Sequence, residues 1–133
     1  MNKCTLTPNQ QYSIIEQVYL IWLANPHLRL GQLMDTPALN SNLNLSNMND
    51  FEYLHKMNET HYKNDINNRA LTPNQKRSII EQIYAIWLAN PYMRLGQLLN
   101  IAAVNGNVDL YYVEDFDLLD KMKETNYEEW VKE

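Results

Sequence analysis

Two arginines, Arg29 and Arg94, are the polar residues of this sequence with the clearest chemical potential. Each begins the motif Arg-Leu-Gly-Gln-Leu, whose leucines belong to the apolar face of a predicted helix. A guanidinium held there needs a partner, because an unpaired buried charge is costly. Its planar fork of N–H donors matches a phosphate or a carboxylate, so one hypothesis is a site for a small anionic ligand such as a nucleotide. Gln97 and Asn100 follow Arg94 closely enough to join that site.

A structural role for the arginines is the alternative, and we favour it. Glu114 and Asp115 stand where a third helix should begin, and either carboxylate could pair with Arg94 and tie two helices together. Removing one member of a buried ion pair is strongly destabilising, because the other charge is left uncompensated. Loss of a structural Arg94 should therefore lower stability, whereas loss of a ligand-binding Arg94 should abolish binding and leave stability unchanged.

Tyr111 and Tyr112 give the best indication of a surface for a partner. Residues 108–113 are rich in branched and aromatic side chains, which predicts a short extended segment. Successive side chains of such a segment point to opposite faces, so one tyrosine should be exposed. Tyrosine has an apolar body and a polar tip, which suits an interface. The first copy has Ser46 and Asn47 at these positions, so the two copies should present different surfaces.

Enzymatic chemistry has little support in the sequence. His27, His55 and His61 are isolated, and they form no set with cysteines or carboxylates at the spacing that a metal or catalytic site needs. The chain has 3 glycines, and none lies in a phosphate-binding loop. We therefore expect no enzyme, no metal site and no cofactor.

Composition narrows the choice of partner and compartment. The formal charge is −5, with 11 basic and 16 acidic residues and no basic stripe, so nucleic acid is not an expected partner. No apolar run approaches the length that crosses a membrane, and the amino terminus lacks the apolar region of a signal peptide. The single cysteine, Cys4, is interpreted as an incidental thiol that fits a reducing compartment. These features predict a cytoplasmic protein.

The elements that position these residues occur twice. Residues 6–60 return as residues 71–125, with a period of 65 residues, and such self-similarity determines the architecture. The apolar residues of the first helix cover about 200° of its circumference, about twice the width that one neighbour requires. We expect this helix to pack against both copies. Trp22 and Trp87 lie in the middle of the apolar arc and should be core residues.

Local signals place the helices within each copy. Thr7, followed by Pro-Asn-Gln, predicts a capped helix start, and Asn25, followed by proline, predicts the cap of a second helix. Asp50 should cap a third helix. Gly31 lies inside the second helix at a cost in stability, which close approach of another backbone would explain. The counterparts of these residues, 65 positions later, predict the same elements.

The predicted fold class is mainly α, with two tandem helix-helix-extended-helix repeats packed as one pseudo-twofold domain. Repeat 1 spans residues 6–62, a polar linker spans residues 63–70, and repeat 2 spans residues 71–127. A single unit of this size would be marginally stable. The two repeats should therefore share one compact core.

The repeats resemble a group of small bacteriophage and prophage proteins. The resemblance rests on Trp87, on residues 91–98 (Pro-Tyr-Met-Arg-Leu-Gly-Gln-Leu), and on the aromatic Glu-Asp segment 111–115 that leads into the last helix. It covers most of each repeat and is closer in the second, since the first departs within residues 46–49. The resemblance implies a phage-encoded unit that is duplicated in this chain.

The favoured function is a non-enzymatic protein–protein interaction module that acts on a host protein through the second repeat. The alternative is a binder of a small anionic ligand, held by Arg94, Gln97 and neighbouring tyrosines. Candidate binding residues for these two hypotheses are Arg94, Gln97, Asn100, Tyr111, Tyr112, Glu114 and Asp115. Direct binding of DNA is disfavoured by the acidic balance.

Overall fold

The structure is a computed structural model that describes residues 6–63, the first half of the molecule, and residues 70–131, the second half. The described residues form helices and turns, and none of them lies in a β-strand, which confirms the mainly α fold class. The α-helices are α1 (Pro8–Ala24), α2 (Leu30–Ser41), α3 (Asp50–Glu59), α4 (Pro73–Ala89), α5 (Leu95–Asn105), α6 (Asp115–Glu124) and α7 (Glu128–Val131). Cys4 and most of the predicted linker lie outside the described residues.

The predicted starts of α1 and α4 are confirmed. The Thr7 hydroxyl accepts from the Gln10 N–H at 3.1 Å, and the Gln10 side chain accepts from the Thr7 N–H at 2.8 Å. Thr72 and Gln75 repeat both bonds at α4. These bonds satisfy N–H groups that a helix start leaves free. All the residues involved lie within four positions of one another, which is why the local sequence predicts them.

The predicted starts of α2 and α5 are wrong. α2 begins at Leu30 and α5 at Leu95, not at the preceding Asn-Pro pairs. Asn25 instead ends α1, and its Nδ2 donates to the Ile21 carbonyl at 2.9 Å. An Asn-Pro pair can end one helix or begin the next, because asparagine caps and the residue before proline avoids the α conformation. Here the pair ends a helix.

The third helix of each half begins where it was predicted, but its capping residue differs. The residues that precede α3 and α6 are Asn49 and Glu114, and Asp50 and Asp115 are the first helical residues. Asn49 Oδ1 accepts from the Phe51 N–H at 3.0 Å, as a capping side chain does. The two aspartates are therefore free to bond elsewhere.

The extended segment predicted at residues 108–113 is a tight turn. The Asp109 carbonyl accepts from the Val113 N–H at 2.9 Å, which closes the turn. Leu110 and Val113 are both buried, whereas residues an odd number of positions apart point to opposite faces of a strand. The corresponding residues of the first half, Leu45–Asn47, form one 3-10 turn. Branched and aromatic residues are packed here by the other half of the molecule, not by a sheet.

The two halves share one core. α1 and α4 form the largest contact between the halves, and the buried apolar residues of both halves belong to one cluster. Trp22 and Trp87 are fully buried, which confirms their predicted place in the core. Each indole Nε1 donates to a carbonyl six residues later, that of Leu28 at 2.8 Å and that of Met93 at 2.7 Å. The turns after α1 and α4 are thus fixed to the core.

Tyrosines that follow α3 and α6 anchor the second helix of each half. The Tyr62 hydroxyl donates to the Leu33 carbonyl at 2.8 Å, and the Tyr127 hydroxyl donates to the Leu98 carbonyl at 2.8 Å. Pro37 lies inside α2 and has no N–H, so the carbonyl four residues before it, that of Leu33, lacks its helical partner. Tyr62 satisfies that carbonyl from outside the helix.

Candidate functional site

Arg29 and Arg94 each precede a helix and reach into the opposite half. Arg94 donates to the Ser46 carbonyl from Nε at 2.9 Å and from Nη2 at 2.7 Å. Arg29 donates to the Tyr111 carbonyl from Nη2, at 3.3 Å. Its Nε is buried and has no hydrogen-bond partner among the described residues. Both guanidinium groups are therefore held by backbone carbonyls, and the Arg94 group is held more completely.

A buried aspartate completes each contact. Asp50 Oδ1 accepts from the Leu95 N–H at 2.7 Å, and Asp115 Oδ1 accepts from the Leu30 N–H at 2.6 Å. Those N–H groups open α5 and α2, where helix donors are unpaired and a negative charge is favoured. Each aspartate thus caps a helix of the other half. We define the Arg94 junction as Arg94, Ser46, Asp50 and Leu95, and the Arg29 junction as Arg29, Tyr111, Asp115 and Leu30.

The carboxyl group of the Arg94 junction is easier to protonate than usual. Burial raises the pKa of Asp50 to about 6, although its bond from Leu95 and the charge of Arg94 both lower it. The rise prevails because burial penalises the charged form more than one N–H and one cation favour it.

The carboxyl group of the Arg29 junction titrates in the same range among more charges. Burial raises the pKa of Asp115 to about 6, and the charge of Glu114 adds to the rise. The Leu30 N–H and the cations Arg29 and Lys76 oppose it. Lys76 is itself buried, and burial lowers the pKa of its ammonium group. Titratable groups therefore gather where the halves meet.

The predicted pairing of Arg94 with Glu114 or Asp115 is wrong. Glu114 is exposed, and Asp115 belongs to the Arg29 junction. The prediction assumed that the arginine and the carboxylate of one repeat meet each other. In the structure each arginine lies beside the carboxylate of the opposite half, because the turn before α3 or α6 crosses to that half. Asp50 is the carboxylate whose pKa the Arg94 charge affects.

Gly31 and Gly96 lie where these turns cross. A Cβ on Gly96 would lie 2.5 Å from the Leu45 carbonyl oxygen, and a Cβ on Gly31 would lie closer still to the Leu110 carbonyl oxygen. Neither position admits a side chain unless backbone moves. The predicted close approach of another backbone is confirmed at both glycines.

The structure divides the candidate binding residues between the two junctions. Gln97 accepts from the Arg94 N–H at 3.3 Å, and Asn100 Nδ2 donates to the Ser46 hydroxyl at 2.8 Å. Gln97 thus bonds within the second half, at the start of α5, and Asn100 bonds to the first half. The remaining candidates lie in the turn and helix start of the Arg29 junction: Tyr111, Tyr112, Glu114 and Asp115.

Tyr112 is the exposed tyrosine of its pair, with 68% of its surface accessible. Tyr111 packs edge-on against it, with ring centroids 5.0 Å apart. The Tyr111 hydroxyl accepts from Gln32 Nε2 at 3.1 Å, and its carbonyl accepts from Arg29. The expectation of one exposed tyrosine is confirmed, although a turn presents it and not a strand. The first half therefore supports this turn from behind.

Acidic and aromatic side chains are exposed on both sides of Tyr112 in the chain. We define the Tyr112 surface by its exposed members, which are Asp109, Tyr112, Glu114, Phe116, Asp117 and Asp120. The equivalent residues of the first half, also exposed, are Asn44, Asn47, Asn49, Phe51, Glu52 and His55. Four carboxylates in the second half thus correspond to one in the first. The two halves share a scaffold and differ in the charge of this surface.

A cleft of about 230 Å³ opens beside Tyr111. It is lined by Leu28, Gln32, Thr36, His61, Tyr62, Lys63 and Tyr111. Gln32 Oε1 is buried and has no hydrogen-bond partner among the described residues. Pockets for drug-sized ligands usually measure about 300–1,000 Å³. The cleft is therefore smaller than the pockets that hold drug-sized ligands.

Residues 6–63 and 70–131 contain no group of three or more His, Cys, Asp or Glu side chains arranged as metal ligands. None of the helices described is both long enough and apolar enough to pass through a membrane. Comparison of the chain with protein-family models, with curated proteins and with solved structures finds no match.

Two parts of the junctions are missed by sequence reasoning. The carbonyl acceptors of Ser46 and Tyr111 carry no signal, because every residue has a carbonyl. The role of Asp50 and Asp115 did leave a signal. Both copies keep the aspartate, while the residue before it changes from Asn49 to glutamate.

Proposed function

We propose that this chain is a non-enzymatic protein-interaction module in which two tandem repeats form one pseudo-twofold domain and the second repeat carries the recognition surface. The reciprocal bonds of Asp50 and Asp115 support the architecture, since each repeat caps a helix of the other. The observation that carries the functional part is the exposure of Tyr112 on a supported turn.

Tyr112 has the properties of an interface anchor. Tyrosine is enriched among the residues that dominate binding energy, since it buries a large apolar area and keeps a polar tip. Binding also costs less when the anchor is ordered beforehand. The ring of Tyr111, together with its bonds to Gln32 and Arg29, supplies that order here.

The charge of the Tyr112 surface supports a partner of opposite charge. Four carboxylates beside two exposed aromatic rings favour a protein surface rich in lysine or arginine. Association with such a surface should slow as salt is added, because screening weakens attraction between exposed charges. The resemblance to phage proteins makes a cytoplasmic host protein the proposed partner.

The test is a comparison of matched variants. Tyr112→Ala removes the anchor, and Asn47→Ala alters the equivalent position of the first half. Proteins retained from host lysate by the parent chain would be identified, purified and titrated against all three chains by calorimetry. We expect Tyr112→Ala to weaken binding about tenfold or more, and Asn47→Ala to bind like the parent.

A partner that binds Tyr112→Ala and the parent equally would refute the assignment of the recognition surface. A partner whose affinity falls equally for both alanine variants would do the same. Thermal unfolding of the variants is the control, since Tyr112 is exposed and its loss should change stability little.

A small anionic ligand is the second candidate, and the cleft beside Tyr111 is the observation that favours it. The sequence suggested that Arg94 would bind the ligand, but its guanidinium donates to the Ser46 carbonyl instead. Lys63 and His61 line the cleft, and Arg29 directly follows Leu28, another lining residue. Titration with inorganic phosphate should perturb the NMR signals of these residues, and Lys63→Ala should abolish the effect. Signals that do not move at millimolar phosphate would exclude this candidate.

A further inference from the structure

The face between the two halves is built from the same positions of both copies. A small apolar space at this face is lined by Ile15, Val18, Leu30, Met34, Ile80, Ile83, Leu95 and Leu99. The last four residues are the counterparts of the first four, 65 positions later. They differ only by valine to isoleucine and methionine to leucine, and such near-equal volumes are well tolerated in a core.

Two kinds of polar bond across the face are also reciprocal. The Tyr19 hydroxyl donates to the Pro73 carbonyl at 3.4 Å, and the Tyr84 hydroxyl donates to the Pro8 carbonyl at 3.3 Å. The aspartate caps of the two junctions exchange in the same way. Each half therefore supplies both the donor and the acceptor of every such pair. A second half contains all that it needs to bond to another second half.

One ion pair across the face is not reciprocal among the described residues. Arg77 donates to both carboxylate oxygens of Glu16, and its guanidinium lies 4.0 Å from the centre of the Tyr19 ring. Glu81 and Tyr84 occupy the positions of Glu16 and Tyr19 in the second half. Two second halves facing each other would therefore form this contact twice.

Two first halves would not form it at all. The counterpart of Arg77 in the first half is Tyr12, which packs edge-on against Tyr84. The Glu81 side chain is exposed and forms no hydrogen bond or ion pair among the described residues. Glu81 thus forms no such contact in the closed chain, in which the second half packs against its own first half. It gains a defined partner, Arg77, only in a pair of second halves.

We propose that the second half binds the second half of another copy of this chain, through the face that it presents to its own first half. The first half is then an internal competitor for that face. Tethering gives it an effective concentration of roughly millimolar, so the closed monomer prevails at lower protein concentrations. Weakening only the first half should release the face for a second copy.

The test uses the full chain with paired substitutions. Glu16→Gln with Asp50→Ala removes acceptors that act only in the closed chain, because a pair of second halves uses Glu81 and Asp115 instead. We expect this variant to dimerise, with a dissociation constant about tenfold or more below that of the parent, by sedimentation and light scattering over a concentration series. Glu16→Gln alone should give a smaller shift in the same direction.

Two controls make the result specific. Glu81→Gln with Asp115→Ala removes the acceptors of the second half, so this variant should be destabilised and remain monomeric. Adding Glu81→Gln to the first variant should reverse its dimerisation, since Glu81 acts only between second halves. The proposal is overturned if both paired variants stay monomeric, if both dimerise equally, or if dimerisation is insensitive to Glu81. Should the paired variant fail to fold, Glu16→Gln with and without Glu81→Gln gives the same decision.

Discussion

The Arg94 and Arg29 junctions follow one backbone scheme with different completeness. Arg94 makes two bonds to the Ser46 carbonyl, whereas Arg29 makes one longer bond to the Tyr111 carbonyl and leaves Nε unpaired. The acceptor is a main-chain atom in both junctions, so its side chain can change without loss of the contact. At one junction that side chain bonds inward to Asn100, and at the other it supports Tyr112. The same contact can therefore hold the halves together and present a surface.

The tryptophans provide the largest expected effect and a test of how alike the two halves are. Trp22→Ala and Trp87→Ala should each lower the free energy of unfolding by about 3–5 kcal/mol, because each leaves a cavity in the shared core and removes a bonded indole. Urea unfolding would measure both. Trp130→Ala, at an exposed position, is the control and should change stability little. A difference of several kcal/mol between Trp22 and Trp87 would show that the halves do not contribute equally.

The glycines should separate the two junctions. Gly31→Ala should cost about 3 kcal/mol and Gly96→Ala about 2 kcal/mol, since the added carbon overlaps a backbone oxygen more severely at Gly31. Gly106→Ala is a matched control, because there the added carbon meets the flexible side chain of Lys121 and the backbone φ of −87° suits alanine. Thermal and urea unfolding would rank the three. A larger loss at Gly96 than at Gly31 would reverse the order of crowding.

The arginines should differ in the opposite direction. Arg94→Ala should lower stability by about 2 kcal/mol and Arg29→Ala by about 1 kcal/mol, because Arg94 makes two bonds and Arg29 one weaker bond. Glu114→Gln should not lower stability, in contrast to the ion pair expected from the sequence, because the charge of Glu114 disfavours the charged form of Asp115. Equal losses at the two arginines would remove the distinction between the junctions. A loss in Glu114→Gln would restore the original pairing.

The smallest effect is a dependence on pH that both junctions should share. The folded pKa of Asp50 and of Asp115, about 6, lies above the ordinary value of 3.8. Between these values the folded chain binds more protons than the unfolded chain, so stability falls as pH rises through the window and is level above it. We expect each carboxyl to make the chain about 1 kcal/mol more stable at pH 5 than at pH 7.5.

Asparagine variants isolate this contribution. Asp50→Asn and Asp115→Asn keep an oxygen that can accept the N–H of the opposite helix, and each should remove its own share of the pH dependence. Urea unfolding at the two pH values would give the difference. If the parent chain instead gains stability from pH 5 to pH 7.5 and the variants do not, both carboxylates are favoured in their charged form and the expected sign is wrong.

Most features that were predicted correctly from the sequence involve residues close together in the chain. The caps at Thr7 and Thr72 and the buried tryptophans were predicted, since each depends on neighbours in the chain or on the requirement for a core. The crowding at Gly31 was predicted from the cost of a glycine inside a helix, although the crowding residue, Leu110, is distant in the chain. The partners of Arg94 and Asp50 were not predicted, because the Asp50 bond joins residues 45 positions apart. Such pairs leave no local pattern. The repeated sequence is compatible with a bond between an arginine and a carboxylate of the same repeat or of opposite repeats. The prediction placed both in the same repeat, and the structure places them in opposite halves.

The prediction of an extended segment at residues 108–113 was wrong for a different reason. Its branched and aromatic residues fit the preferences of a strand, but those preferences describe a side chain that is packed on one face. Here Leu110 is packed by the backbone of α2 near Gly31, and the burial that a sheet would provide comes from the opposite half. The composition of this segment correctly indicated that it is buried, but it wrongly indicated an extended backbone.

The tyrosine that anchors α2 also affects which mutations the chain can accept. Tyr62 supplies the Leu33 carbonyl with a donor, so the amide at position 37 became dispensable and a proline is tolerated there. Tyr127 already donates to the Leu98 carbonyl, although Ala102, the counterpart of Pro37, retains its own N–H. The second half therefore has both a tyrosine hydroxyl and a backbone N–H that can donate to this carbonyl, whereas the first half has only the tyrosine hydroxyl. A single hydroxyl outside a helix thus allows the helix to tolerate a residue without a backbone N–H.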